Sequence, residues 1–85
     1  MVTQETFEKA VADSKTLLSK PDNETLLKLY SLYKQSTEGD APNDAPSNPF
    51  DFVGLAKHEA WSNLKGLVAS EAMTQYVNLV NGLKG

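Results

Sequence analysis

The chain has no cysteine and no arginine, and its five glycines are scattered, with Gly39, Gly54 and Gly66 each standing alone. Without cysteine, neither a disulfide framework nor a thiolate metal site can hold the fold, so side-chain packing must. With eight lysines, eleven acidic residues and a net charge of −3, the broad basic footprint that a nucleic acid needs is missing. Any anion must therefore be met locally. Isolated glycines exclude a phosphate-cradling loop. No stretch approaches the roughly 20 apolar residues of a membrane span. The opening Met-Val-Thr-Gln-Glu-Thr-Phe also lacks a basic segment followed by an apolar run, so a cytoplasmic protein without stable membrane insertion is expected.

Catalytic and metal chemistry are short of parts as well. His58 is the single histidine and has no cysteine or carboxylate cluster at ligand spacing, so it reads as a surface imidazole and no metal or cofactor is expected. Ser62, Ser70 and His58 offer no nucleophile elbow, and the carboxylates are scattered, which excludes a defined acid, base and nucleophile set. The expectation is no enzyme and no catalytic residue. At 85 residues the chain is one domain, 1–85, that should bury about 60% of the surface its unfolded form exposes.

What is present is helical periodicity. From Thr3, a suitable N-cap, to roughly Ser19, the residues Phe7, Ala10, Val11, Ser14, Leu17 and Leu18 recur at helical spacing. Lys20-Pro21 breaks this helix, and Asp22 or Asn23 can cap a second that runs to about Thr37. There Leu26, Leu27, Leu29, Tyr30, Leu32 and Tyr33 cover most of the circumference, which predicts a more enclosed helix that ends at Gly39. Residues 40–50 hold three prolines and no apolar period, so they form a stiff extended connection. Asp51 can cap a third helix with rows Ala56, Ala60, Leu64 and Val53, Lys57, Trp61, ending at Lys65-Gly66. A fourth, from Ala69 or Ser70 to Leu83, carries Ala72, Met73, Tyr76, Val77, Val80 and Leu83 toward a core. Four helices with one long connection make a bundle with a crossover.

Tyr30, Tyr33 and Lys34 share about 100° of the second helix. Phenol rings can stack on a base, their hydroxyls can reach a phosphate oxygen, and lysine adds a point charge, so this face suits an aromatic, phosphorylated ligand. The competing reading is that both tyrosines are core residues at helical spacing. Trp61 reads as a core or groove aromatic.

In chain order, Phe7, Lys20-Pro21, "LYSLYKQSTEGD" (29–40), "DFVGLAKHEAW" (51–61), "LKG" (64–66) and Tyr76 resemble the acyl-CoA-binding protein family over nearly the whole chain. The resemblance implies an all-α, four-helix up-down-down-up bundle with a long crossover connection between helices 2 and 3. It also implies a monomeric, non-enzymatic carrier of long-chain acyl-CoA esters. In that family the residues matching Tyr30, Lys34 and Lys57 meet the ribose 3'-phosphate, those matching Tyr33 and Tyr76 form the adenine site, and the lysine matching Lys15 lies at the ligand. The chain departs from the family at Val53 and Leu55, where lysines are common, and at His58, where tryptophan is common. Val68 stands where a capping serine is usual, which points to a fourth helix starting later, at Ser70, and the connection is one residue longer. The alternative function is a helical interaction module whose groove takes a partner helix.

Overall fold

The computed structural model describes residues 2–17, 19–44 and 47–84. They form α1 (Gln4–Ser14), α2 (Asn23–Glu38), α3 (Phe52–Ser62) and α4 (Ala69–Leu83), and no strand is present among them. Leu18, expected on the apolar face of the first helix, lies outside the described residues, as do Ala45 and Pro46 of the connection.

Three helix starts follow from side-chain caps, each satisfying a backbone N–H that the first turn leaves free. Thr3 Oγ1 accepts from Thr6 N at 3.1 Å, Asp22 Oδ1 from Thr25 N at 2.8 Å and Asp51 Oδ1 from Gly54 N at 2.9 Å. α4 begins at Ala69 with Val68 at the N-cap position and no side-chain bond. The missing hydroxyl at 68 thus does not delay the helix to Ser70; Glu71 in the first turn favours the helix's positive end.

α1 is shorter than its apolar period suggests, ending at Ser14 rather than near Ser19. The cause is local competition for backbone carbonyls. Lys15 N bonds Ala12 O at 3.1 Å and Thr16 N bonds Asp13 O at 3.0 Å, a tighter i to i−3 pattern. The hydroxyls of Ser14 and Thr16 also donate three residues back, to Val11 O and Asp13 O. The helix unwinds before Leu17.

Paired contacts fix the topology. Phe7 meets Tyr76 and Asp13 meets Lys84, so α1 and α4 run the same way. Tyr33 meets Tyr76 while Gln35 reaches Leu67 before α4, so α2 opposes α4. Lys57 lies by Tyr30 and Lys34 by Trp61, so α3 runs with α2. The order is up-down-down-up. Because α2 and α3 are parallel neighbours, the chain between them must return the length of a helix, which is why the connection is long.

α4 packs between α1 and α2, and α3 packs on the far side of α2. The core is Phe7 and Ala10 of α1, Leu29 and Leu32 of α2, and Ala72, Tyr76, Val77 and Val80 of α4. Helices laid nearly in a row give a body of 36 × 28 × 15 Å, thin enough to leave grooves open between neighbours.

A polar clamp closes one end. Gln35, 1% exposed, donates through Nε2 to Asp40 Oδ1 at 2.8 Å and to Leu67 O at 2.9 Å. Asp40 Oδ1 also accepts from Gly66 N at 2.9 Å, and Trp61 Nε1 donates to Gly39 O at 2.8 Å. Gly39 and Gly66 take φ of 81° and 90°, which glycine adopts without a Cβ clash. His58 is half-buried rather than a free surface imidazole, and its Nε2 donates to Pro42 O at 2.8 Å, tying the connection to α3.

The bond from Gly66 N, then that from Gln35, holds the Asp40 carboxyl below its usual range, with Lys65 adding attraction. A group whose pKa is lowered on folding stabilises above its unfolded value of about 4 and ceases to do so as pH falls through its folded value. Asp40→Asn keeps an acceptor but not the charge. Thermal melts between pH 6 and pH 3 should therefore show wild type losing more stability than Asp40→Asn; parallel losses would show that the charge contributes nothing.

Candidate functional site

α2 sits in the middle of the row and offers a face to α4 and α1 on one side and to α3 on the other. Tyr30 lies where these two faces meet. On the first side, Val11, Ser14, Lys15, Leu29, Tyr30, Tyr33 and Tyr76 line an open cleft of about 320 Å³. On the second, Asn23, Leu26, Leu27, Phe52, Val53, Ala56 and Lys57 line one of about 370 Å³, whose walls are almost wholly apolar.

The aromatic cleft is built on α1. Phe7, buried in the core, stacks under Tyr33 with ring centroids 6.1 Å apart and planes at 18°. It also meets Tyr76 edge-on at 5.3 Å. Tyr76 is only 4% exposed and its hydroxyl donates to Ser14 Oγ at 3.1 Å, so it is a fixed wall of the cleft. Tyr33 is 40% exposed and gives the cleft an aromatic ring open to solvent. The reading of Tyr33 as a core residue is thereby excluded. Lys15, exposed at the C-cap of α1, stands at the rim.

Lysines gather around Tyr30. Lys57 Nζ lies 5.1 Å from the Tyr30 ring centroid and Lys34 Nζ lies 6.0 Å from it, both within the range of cation–π attraction. Lys34 Nζ is also 5.4 Å from the Trp61 ring and pairs with Glu38 one turn on. The hydrogen bond that the Lys34 ammonium donates to Glu38 raises its pKa above the usual value, partial desolvation opposes this, and the Glu38 charge adds to the rise. Lys34 therefore stays cationic at any physiological pH.

All six residues singled out from the sequence lie around this junction: Lys15, Tyr30, Tyr33 and Tyr76 at the aromatic cleft, Lys57 at the apolar one, and Lys34 on the Tyr30 face toward Trp61. Val11 and Ser14 at the aromatic cleft, and Phe52, Val53 and Ala56 at the apolar one, were not singled out as site residues. Their signal is weak, because each also fits an ordinary helix face. Glu38 was missed although its i, i+4 spacing from Lys34 marks the pair.

Among the described residues, no group of three histidine, cysteine, aspartate or glutamate side chains could hold a metal ion, and no helix is long and apolar enough to cross a membrane.

A family profile described as "Acyl CoA binding protein" matches residues 4–80. Acyl-CoA-binding protein homolog 1 of Caenorhabditis elegans is 48% identical over 77 residues, covering 91% of this chain and 88% of that one. Enoyl-CoA delta isomerase 2 of Rattus norvegicus is 46% identical over 81 residues, but those are 95% of this chain and 20% of the isomerase, so the likeness is confined to one part of a longer protein. The crystal structure of Oryza sativa Acyl-CoA-Binding Protein 2 superposes with a TM-score of 0.87 at 38% identity, covering 94% of this chain and 88% of that one. With the profile spanning nearly every residue and the bundle matching in three dimensions, the chain belongs to the acyl-CoA-binding protein family.

Proposed function

We propose that the chain is a non-enzymatic, monomeric cytoplasmic carrier of long-chain fatty acyl-CoA esters, its nucleotide end held on the aromatic side of α2 and its acyl chain on the α3 side. Family membership supports acyl-CoA as the ligand. The observation that carries the finer reading is that a cleft with an open aromatic ring and lysine at its edge adjoins an almost wholly apolar one, with Tyr30 and Lys57 joining them.

Each part of the ligand meets matching chemistry. The adenine stacks on Tyr33, with Tyr76 as the wall beside it. The 3'-phosphate lies by Lys34 and Lys57 and accepts a hydrogen bond from the Tyr30 hydroxyl. Lys15 approaches the ligand from the cleft rim. The acyl chain covers Leu26, Leu27, Phe52, Val53 and Ala56. Phe52 and Val53 are 73% and 64% exposed, so covering them removes apolar surface from water.

Titration calorimetry with octanoyl-, dodecanoyl- and palmitoyl-CoA tests the apolar half. Affinity should rise with each added methylene, by at most about 0.8 kcal/mol, until the groove is full, and the ester should be recovered intact. A flat series would show that only the head group is held; release of free CoA would mean a hydrolase, and no binding would leave an interaction module.

For the aromatic half, Tyr33→Ala should weaken palmitoyl-CoA binding by ~1 to 3 kcal/mol, the range for stacking of a base on an aromatic ring, and Tyr33→Phe by much less. Equal losses would assign the contact to the hydroxyl instead.

A further inference from the structure

α2 ends on a carboxylate that stability does not explain. Glu38 is the last residue of the helix, where the macrodipole is negative and an acidic side chain is disfavoured. Its one ionic partner among the described residues is Lys34, and both side chains are open to solvent, at 52% and 28% exposed. An exposed pair of this kind adds little to folding. Lys34 is also a cation at the Tyr30 junction, beside Lys57 across the same ring.

We propose that Glu38 is a built-in competitor for the anion site: it occupies the Lys34 ammonium when the site is empty and must give it up to a ligand phosphate. This rests on the carrier reading above and deepens it. Two ammonium groups face the Tyr30 ring, and the carboxylate cancels one of their charges. A doubly charged phosphate repels Glu38 and attracts Lys34 more strongly than a single carboxylate does, so it displaces the pair. A ligand lacking that phosphate leaves the pair intact and gains nothing from Lys34. Glu38 therefore lowers affinity for a ligand that carries the 3'-phosphate and leaves that of a ligand lacking it unchanged, so it moderates how strongly the site prefers the phosphate. The residue tunes affinity for the phosphate through Lys34 and does not itself contact the ligand.

The test uses the full chain as wild type, Glu38→Gln, Lys34→Met and the double variant. Each is titrated calorimetrically with palmitoyl-CoA and its 3'-dephospho analogue, at low and at physiological ionic strength. Glu38→Gln should tighten palmitoyl-CoA by about two- to five-fold, the effect of releasing an exposed pair, and should leave the dephospho analogue unchanged. The gain should vanish in the Lys34→Met background and shrink as salt rises. Thermal melts identify variants with a disturbed fold, which is not expected because the substitution removes a charge that opposes the helix dipole. Unchanged or weaker binding by Glu38→Gln overturns the proposal, the weaker case showing that Glu38 holds Lys34 in place for the ligand. A gain that persists without Lys34 also overturns it, since the effect would then be general charge. If wild type binds neither ester, the carrier reading falls too; binding with no Glu38 effect removes this inference alone.

Discussion

The Gln35 side-chain amide holds three parts of the chain at one point. Its two donations join the end of α2 to Asp40 at the start of the crossover and to Leu67 in the turn before α4. Asp40 in turn takes the Gly66 N–H, and Trp61 ties α3 to Gly39. A buried amide left without partners costs about 1 to 3 kcal/mol per group, so α2 cannot slide relative to α4 without exposing or stranding these bonds. Gln35 Oε1 remains buried without a hydrogen-bond partner among the described residues, and the clamp holds despite that cost. The register of α2 places Tyr30, Tyr33 and Lys34 opposite their neighbours.

From that register the two sides of α2 acquire different characters. Toward α1 and α4, Phe7 supports Tyr33 from beneath and Ser14 fixes the Tyr76 hydroxyl, so the aromatic wall is set before any ligand arrives. Toward α3, the parallel direction brings Lys57 beside Tyr30 and Leu26 and Leu27 beside Phe52 and Val53. A pre-formed aromatic wall would need little ordering on binding, while the open apolar side would gain by covering exposed surface. The thinness of the body makes this possible, because helices in a row leave grooves that a closed four-helix square would fill.

Much of this was legible in the residues, and the parts that were not have identifiable causes. Thr3, Asp22 and Asp51 act as caps because each is a side-chain acceptor three residues before a free N–H, a strictly local pattern. The parallel α2 and α3 follow from the proline-bearing connection, which is too long for a simple turn. The end of α1 was overestimated because apolar period records which residues would face the core, whereas Ser14 and Thr16 decide whether the backbone stays helical. Leucine-like spacing could not separate Tyr33 from Leu29 either. Both follow the helix period, yet Leu29 is 7% exposed and Tyr33 40%, and only the placement of Phe7 and α4 makes that difference.

The central claim is that one ester spans both sides of α2, and backbone amide NMR during titration with palmitoyl-CoA tests it most directly. The account predicts shifts at Lys15, Tyr30, Tyr33, Lys34, Lys57 and Tyr76 and also at Leu26, Leu27, Val53 and Ala56. Free CoA should reproduce the first set with little of the second. Shifts confined to the cleft between the ends of α1 and α4, around Thr16, Leu17 and Leu83, would contradict the account by placing the ligand at the C-terminal ends of these two helices.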